Sequence, residues 1–238
     1  MFPHKFLPVL LLIFSINAFA SSPSRWKPGT VVPKSDVAKY GLEAYFSIDT
    51  ISDALLQRMQ TGGSYPKGCQ VKRSDLRYLK LLHVDYNGAT VCGEMVCNKA
   101  IARDLYDIFL ELYRNDYPIE RMELIDNYGA NDEQSMAHNN TSAFCYRTVA
   151  GSTKLSKHAQ GLAVDINTQH NPCVKYDANG RITKIQPNTT VAKDYSKRSP
   201  RKAHMIDKTD LCYRLFTQHG FTWGGNWRRT KDYQHFEK

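Results

Sequence analysis

Past its first twenty residues the chain has no apolar run near the 18 or so residues that would cross a bilayer. It also has no internal repeat, no C-x-x-C pair and no HExxH segment. The first two absences exclude a later membrane span and a repeat array. The third argues against a structural zinc ribbon, and the fourth removes the short helical motif of many metalloproteases. Acid is the scarcer charge, with 23 Asp and Glu against 32 Lys and Arg and a net charge of +9. A basic balance of this kind suits an anionic polymer or a membrane surface. The basic residues are scattered apart from Lys197, Arg198, Arg201 and Lys202 and the pair Arg228 and Arg229. With an export signal in front, that pattern argues against a nucleic-acid partner.

That signal occupies residues 1–20. His4 and Lys5 precede the apolar stretch from Phe6 to Ile16, and Ala18-Phe19-Ala20 supplies a small-x-small cleavage pattern. The expected product starts at Ser21 and is periplasmic or secreted, monomeric and without a stable membrane anchor, since no cysteine follows the apolar run to carry a lipid. An uncleaved single-pass anchor is the rival reading, and the run is short for it. Six cysteines, Cys69, Cys92, Cys97, Cys145, Cys173 and Cys212, lie beyond the signal. In an oxidising compartment they permit up to three disulfides of unreadable pairing, with buried free thiols as the alternative.

Residues 21–65 read as a tether rich in Ser, Pro and Lys followed by a short helix from Ile51 to Met59, and residues 66–238 as one catalytic domain. Leu82, Val84 and Tyr86 alternate against His83 and Asp85, then Asn87-Gly88 precedes Ala89 to Val96, which is a hairpin pattern. Ile101, Leu105, Ile108, Phe109, Leu112 and Tyr113 recur at helical spacing between Asn98 and Asn115. Ile119 to Ile125 and Leu162 to Asn167 read as strands, and a last helix runs from about Asp207 to Gly220 with Leu211, Leu215 and Phe216 as its stripe. Strands and helices do not alternate regularly. The expected fold is therefore α+β, with a small, mainly antiparallel sheet flanked by helices.

In the strand from Leu162, a period of two sends Leu162, Val164 and Ile166 inward and turns Asp165 to the other face, which small Ala163 leaves open. His158 precedes this strand, and Gly161 permits a tight turn that folds its imidazole back beside Asp165. His235, in the segment DYQHFE, is the best source of a second imidazole. Two histidines and an aspartate would give zinc three ligands and leave a fourth position for water. Asp232, three residues before His235, is placed to serve as general base, and Arg147 is the candidate to stabilise an oxyanion. The rival reading is bland: a structural His158–Asp165 pair, a surface His235, a solvated Asp232 and a loop Arg147. Ser156 with His158 would make a poor serine peptidase, because only Asp165 remains to orient the histidine.

SKHAQGLAVDIN together with GFTWGGNWRRTKDYQHFE resembles the zinc peptidases of the D-alanyl-D-alanine carboxypeptidase and L-alanyl-D-glutamate endopeptidase family. Members pair an S-x-H-x-x-G-x-A-x-D segment with a terminal [DE]-x-x-H, positions filled here by Ser156, His158, Gly161, Ala163, Asp165, Asp232 and His235. The resemblance extends to NNTSAFCYRTVAGS and covers most of residues 70–238. It implies one zinc ion per chain held by His158, Asp165 and His235, catalysis by Asp232 and Arg147, and peptidoglycan stem peptides as substrate. Asp232 stands where the dipeptidase branch commonly has Glu, and looks more like the endopeptidase branch. Ser156 and Trp223 are candidate substrate contacts, the latter within the cluster Phe221, Trp223, Gly224, Gly225 and Trp227. A local backbone bond for Ser156 and a core role for the aromatics are the alternatives. A different class stays open as well: a zinc-stabilised wall-binding or interaction module without peptidase activity.

Overall fold

The computed structural model describes residues 26–148 and 153–238. The expected signal at residues 1–20 lies outside them. Starting at the N-terminal side, residues 29–32 bond to the outer edge of a later strand, through Gly29 N–H to the Cys92 carbonyl at 2.8 Å and Cys92 N–H to the Thr30 carbonyl at 2.9 Å. Trp26 packs edge-on against Tyr78. Within the stretch that reads as a tether, residues 29–32 are thus built into the sheet. The stretch leads into α1 (Lys34–Tyr40) and then β1 (Ser47–Thr50), a strand that no alternation announced.

Helix α2 (Asp53–Gly62) starts where the Ser52 hydroxyl accepts the Leu55 N–H, and it stops at Gly63 in the left-handed conformation. The hairpin follows, as β2 (Leu76–Val84) and β3 (Thr90–Asn98) in unbroken antiparallel register, with β1 on the free edge of β2. The strand ends at Val84 rather than Tyr86, because the Asp85 carboxylate accepts the N–H groups of Asn87 and Ala89 and closes the turn. Both faces are covered at this end, so His83 is buried as Leu82 and Val84 are, with its Nδ1 2.6 Å from the Ile119 carbonyl. Next, α3 (Ala102–Arg114) buries Leu105, Ile108, Phe109 and Leu112 as the spacing requires.

Of the strand expected from Ile119 to Ile125, only β4 (Arg121–Met122) pairs as a strand. After α4 (Asp132–Ala137), β5 (Asn140–Thr141) runs parallel to it. The ladder stops there because the Asn140 side chain takes both the N–H and the carbonyl of Glu123, and Ile125 begins a 3-10 turn. The remaining elements are β6 (Ala163–Asp165), β7 (Cys173–Tyr176), β8 (Ile182–Gln186), α5 (Thr190–Tyr195), α6 (Leu211–Gln218), β9 (Thr222–Trp223), β10 (Thr230–Asp232) and β11 (His235–Glu237). Helix α6 starts later than Asp207 because Asp207 binds Thr209 in a turn of its own, and Asp210 caps the helix through the Cys212 N–H. The fold is α+β, with its antiparallel pairing divided among three small sheets ordered β1-β2-β3, β10-β7-β8 and β6-β11-β9.

Disulfides are a correction. All six cysteines are free, and five are buried. Burial pushes the thiols of Cys92 and Cys145 up to about 11 and about 12, so they remain protonated, small core residues. Protein denatured without reductant should accordingly report six reactive thiols in a colorimetric titration. Fewer would mean pairing that this fold does not contain.

Burial also lowers the pKa of His83 to about 4, and burial followed by the neighbouring His204 lowers that of His170 to about 4. At these two rings the folded chain therefore binds fewer protons than the unfolded chain between those values and the ordinary 6.5. Their contribution to stability is fully present above pH 6.5 and is lost as pH falls through 4. His83 alone accounts for roughly 3 kcal/mol of that loss. Urea unfolding at pH 7, 5.5 and 4.5 checks the direction, and a flat profile would contradict it.

Candidate active site

The pairing of β6 with β11 places His235 directly across from Asp165, with Val164 opposite Phe236 and Ala163 opposite Glu237. Val164, Ile166 and Phe236 point into the core and are fully buried. On that two-residue period His235, Glu237 and Asp165 share the other face. Phe236 stacks on Phe216 of α6 with ring centroids 4.3 Å apart, which fixes the strand that carries His235. Burying such a ring contributes about 2 to 3 kcal/mol.

His158 begins a single 3-10 turn that Gly161 ends with φ of 70°. A Cβ at Gly161 would lie 2.7 Å from the Asn98 nitrogen, so only glycine lets this turn sit against the end of β3. The His158 ring donates from Nδ1 to the Ala143 carbonyl at 2.7 Å, which leaves Nε2 as the nitrogen that faces the site. That Nε2 lies 3.1 Å from His235 Nδ1 and 3.3 Å from Asp165 Oδ2, and His235 Nδ1 is 3.1 Å from Asp165 Oδ1. On its far side His235 Nε2 is 3.0 Å from Glu237 Oε2, so this nitrogen carries a proton, and Nδ1 is the ring nitrogen that would ligate a metal in exchange for its own proton.

Three donor atoms, all within 4.8 Å of one another and all on buried residues, thus converge on one point. Burial alone would raise the Asp165 carboxyl, but the His158 and His235 rings override it and hold it well below the usual carboxylate range. For His235, burial opposes the charged form, and the bonds to Asp165 and Glu237 outweigh it, raising the ring to about 10. Positive charge is favoured here. A donor set of two imidazoles and one carboxylate fits zinc.

Asp232 faces the same cavity from β10, across the ladder from Cys173. Burial first and then the Asp165 carboxylate push its carboxyl up to about 6, and its Oδ1 is buried with no hydrogen-bond partner among the described residues. The backbone of the Gly224–Asn226 turn presses against it: a Cβ at Gly224 would sit 2.7 Å from the Asp232 carbonyl oxygen. Arg147 lines the cavity, held by Asp132 at 2.9 Å. Ser156 lines it too, but its hydroxyl accepts the Ala159 N–H at 3.0 Å in a local turn. Among the described residues no Ser156–His158 bond exists, and His158 is fully engaged elsewhere, so the serine-peptidase arrangement is absent.

Trp223 requires correction as a substrate contact. It is buried in the core, donates its indole N–H to the Tyr233 carbonyl at 2.9 Å, and does not line the cavity. Trp227 does line it, with its ring centroid 5.2 Å from that of His235. Cys173, Lys175, Gln234 and Glu237 also belong to the wall and were not singled out from sequence. For Glu237 the signal was present: two positions after His235 on a strand means the same face. The cavity measures about 290 Å³. A larger, shallower hollow of about 920 Å³, lined by Tyr176, Arg228, Arg229 and Lys231, lies on the other face of β7 and β10 and contains none of the converging ligand groups. The chemistry belongs to the smaller one.

Residues 150–238 match the model of a protein family described as D-alanyl-D-alanine carboxypeptidase. This segment carries His158, Asp165, Asp232 and His235, and over it the chain is similar to that peptidase family. Arg147 falls just before the matched stretch. No curated protein and no solved structure matches the chain.

A carboxylate that receives the outer N–H of a metal-ligating histidine orients the ring and raises its basicity, and its loss commonly weakens metal binding about 10- to 100-fold. Glu237→Gln should weaken zinc binding by that factor with the circular dichroism spectrum unchanged, as measured by competition with a chromophoric chelator. An unaltered affinity would remove Glu237 from the site.

Proposed function

We propose that the protein is an exported zinc metallopeptidase that hydrolyses an amide bond in peptidoglycan stem peptides, of the D-Ala-D-Ala carboxypeptidase or L-Ala-D-Glu endopeptidase type. The observation that carries this reading is the convergence of His158, Asp165 and His235 in one cavity, with Asp232 at its wall and its Oδ1 buried without a hydrogen-bond partner among the described residues. The match of residues 150–238 to a D-alanyl-D-alanine carboxypeptidase family model supports the peptidase class. The basic balance and the N-terminal signal pattern support an extracytoplasmic, anionic substrate.

In this reading His158, Asp165 and His235 hold the zinc ion, one per chain. Bound there, zinc supplies Lewis-acid polarisation of the scissile carbonyl and lowers the pKa of water. Asp232 accepts a proton from the attacking water and passes it to the departing amine, a task suited to a carboxyl held near neutrality. Arg147, fixed by Asp132, presents a preorganised positive charge to the oxyanion that develops on the carbonyl. Gln234 donates to Asp165 Oδ2 at 3.4 Å and helps hold that ligand in place.

Purified protein loaded with zinc should release products from a stem-peptide muropeptide digest, read by mass spectrometry, and a chelator should abolish the release. Asp232→Ala should lower turnover about 10²- to 10⁴-fold while retaining about one zinc per chain. Metal-loaded wild type that binds cell wall but cleaves no stem peptide would replace the enzyme with the wall-binding module.

A further inference from the structure

Along β7, Cys173 and Lys175 lie on the face that borders the cavity, while Val174 between them is fully buried. Across the ladder Cys173 faces Asp232 and Lys175 faces Thr230, and all four border the cavity. Lys175 therefore stands one residue pair outward from the proposed base, about 7 Å along the strand. The other cations of the wall are committed. Arg147 is held by Asp132, and Lys157 donates to the Lys238 carbonyl at 3.3 Å. Among the described residues the Lys175 ammonium has neither an ion pair nor a hydrogen bond.

Of the nearby carboxylates, Asp165 is occupied by the two histidines, Glu237 by His235, and Glu133 by the Asn188 N–H and the Gln186 amide, while Asp232, diagonally across the ladder, forms no ion pair with Lys175 among the described residues. On its other side Lys175 is directly opposite Lys184 of β8. Like charges opposed across a ladder destabilise it. An anion seated between or above them reverses that penalty.

We propose that Lys175, assisted by Lys184, binds a free carboxylate of the substrate one or two residues from the scissile amide, and so selects acidic stem peptides. The spacing follows from chain dimensions, since an extended peptide covers about 7 Å in two residues. The proposal rests on the peptidase reading above. The terminal carboxylate of a peptide and the free carboxylate of an internal acidic residue share this chemistry, and amidation separates them.

The test uses zinc-loaded full chain and one stem peptide in three forms: unmodified, amidated at its C-terminus, and amidated at its internal carboxylate. Amidation of the carboxylate that Lys175 binds should lower kcat/KM of the wild type about tenfold or more, mainly through KM, as loss of a charge-assisted hydrogen bond does. Lys175→Gln should lose that discrimination and Lys175→Arg should keep it. The amidation that matters identifies the source. Wild type that cleaves all three forms equally, or Lys175→Gln that still discriminates, overturns the assignment while leaving the peptidase intact. Cleavage of none of the three overturns the peptidase reading and the subsite with it.

Discussion

The register of β6 against β11, which sets His235 opposite Asp165, is the constraint on which the site depends. These residues are 70 positions apart, and no polar contact between them would survive a shift of one residue, which would turn His235 and Glu237 into the core. What prevents the shift is apolar. Phe236, fully buried between two cavity-facing residues, is stacked on Phe216, and Val164 lies across from it. A polar centre that strains to hold like and unlike charges together is thereby carried on a strand whose position is decided by its hydrophobic face.

The second consequence is electrostatic. Asp165 and Asp232 occupy one small, buried cavity, and their surroundings drive them apart: the histidine rings hold Asp165 ionised, while burial and the charge of Asp165 raise Asp232 to about 6. Pairs of carboxyl groups separated in this way take different roles, one fixed as an anion and the other able to carry a proton. The proposed division between ligand and base would thus follow from placement. His158 and His235 both face Asp165, whereas Asp232 is answered by the Cys173 thiol and the close backbone of Gly224.

Much of this was legible in the chain because its signals were local. The stripe of α3 and the alternation around Asp165 each lie within one short segment, and the two motif segments carry His158, Asp165, Asp232 and His235 at fixed spacing. What escaped depended on partners distant in sequence. Strand β1 was invisible because its short stretch gains strand character only by pairing with β2. Trp223 and Trp227 are indistinguishable by type, and only the turn at Gly224–Asn226 decides that the first enters the core and the second the cavity. The thiols read as disulfide candidates because cysteine count carries no information on distance. Lys175 gave no signal of its own, since its significance is the neighbours it lacks.

The Gly161 turn joins two parts of the molecule that otherwise have separate tasks. Asn98, the last residue of β3, donates its N–H to the Gly161 carbonyl at 2.8 Å and its side-chain amide to the Gln160 carbonyl at 3.1 Å. The long hairpin contributes no ligand, yet it is the abutment against which the His158 loop is braced. A side chain at position 161 would act as a spacer between them, tilting the imidazole off its axis without touching any group that takes part in the chemistry. Mechanical stiffness at the centre is thus supplied from its periphery.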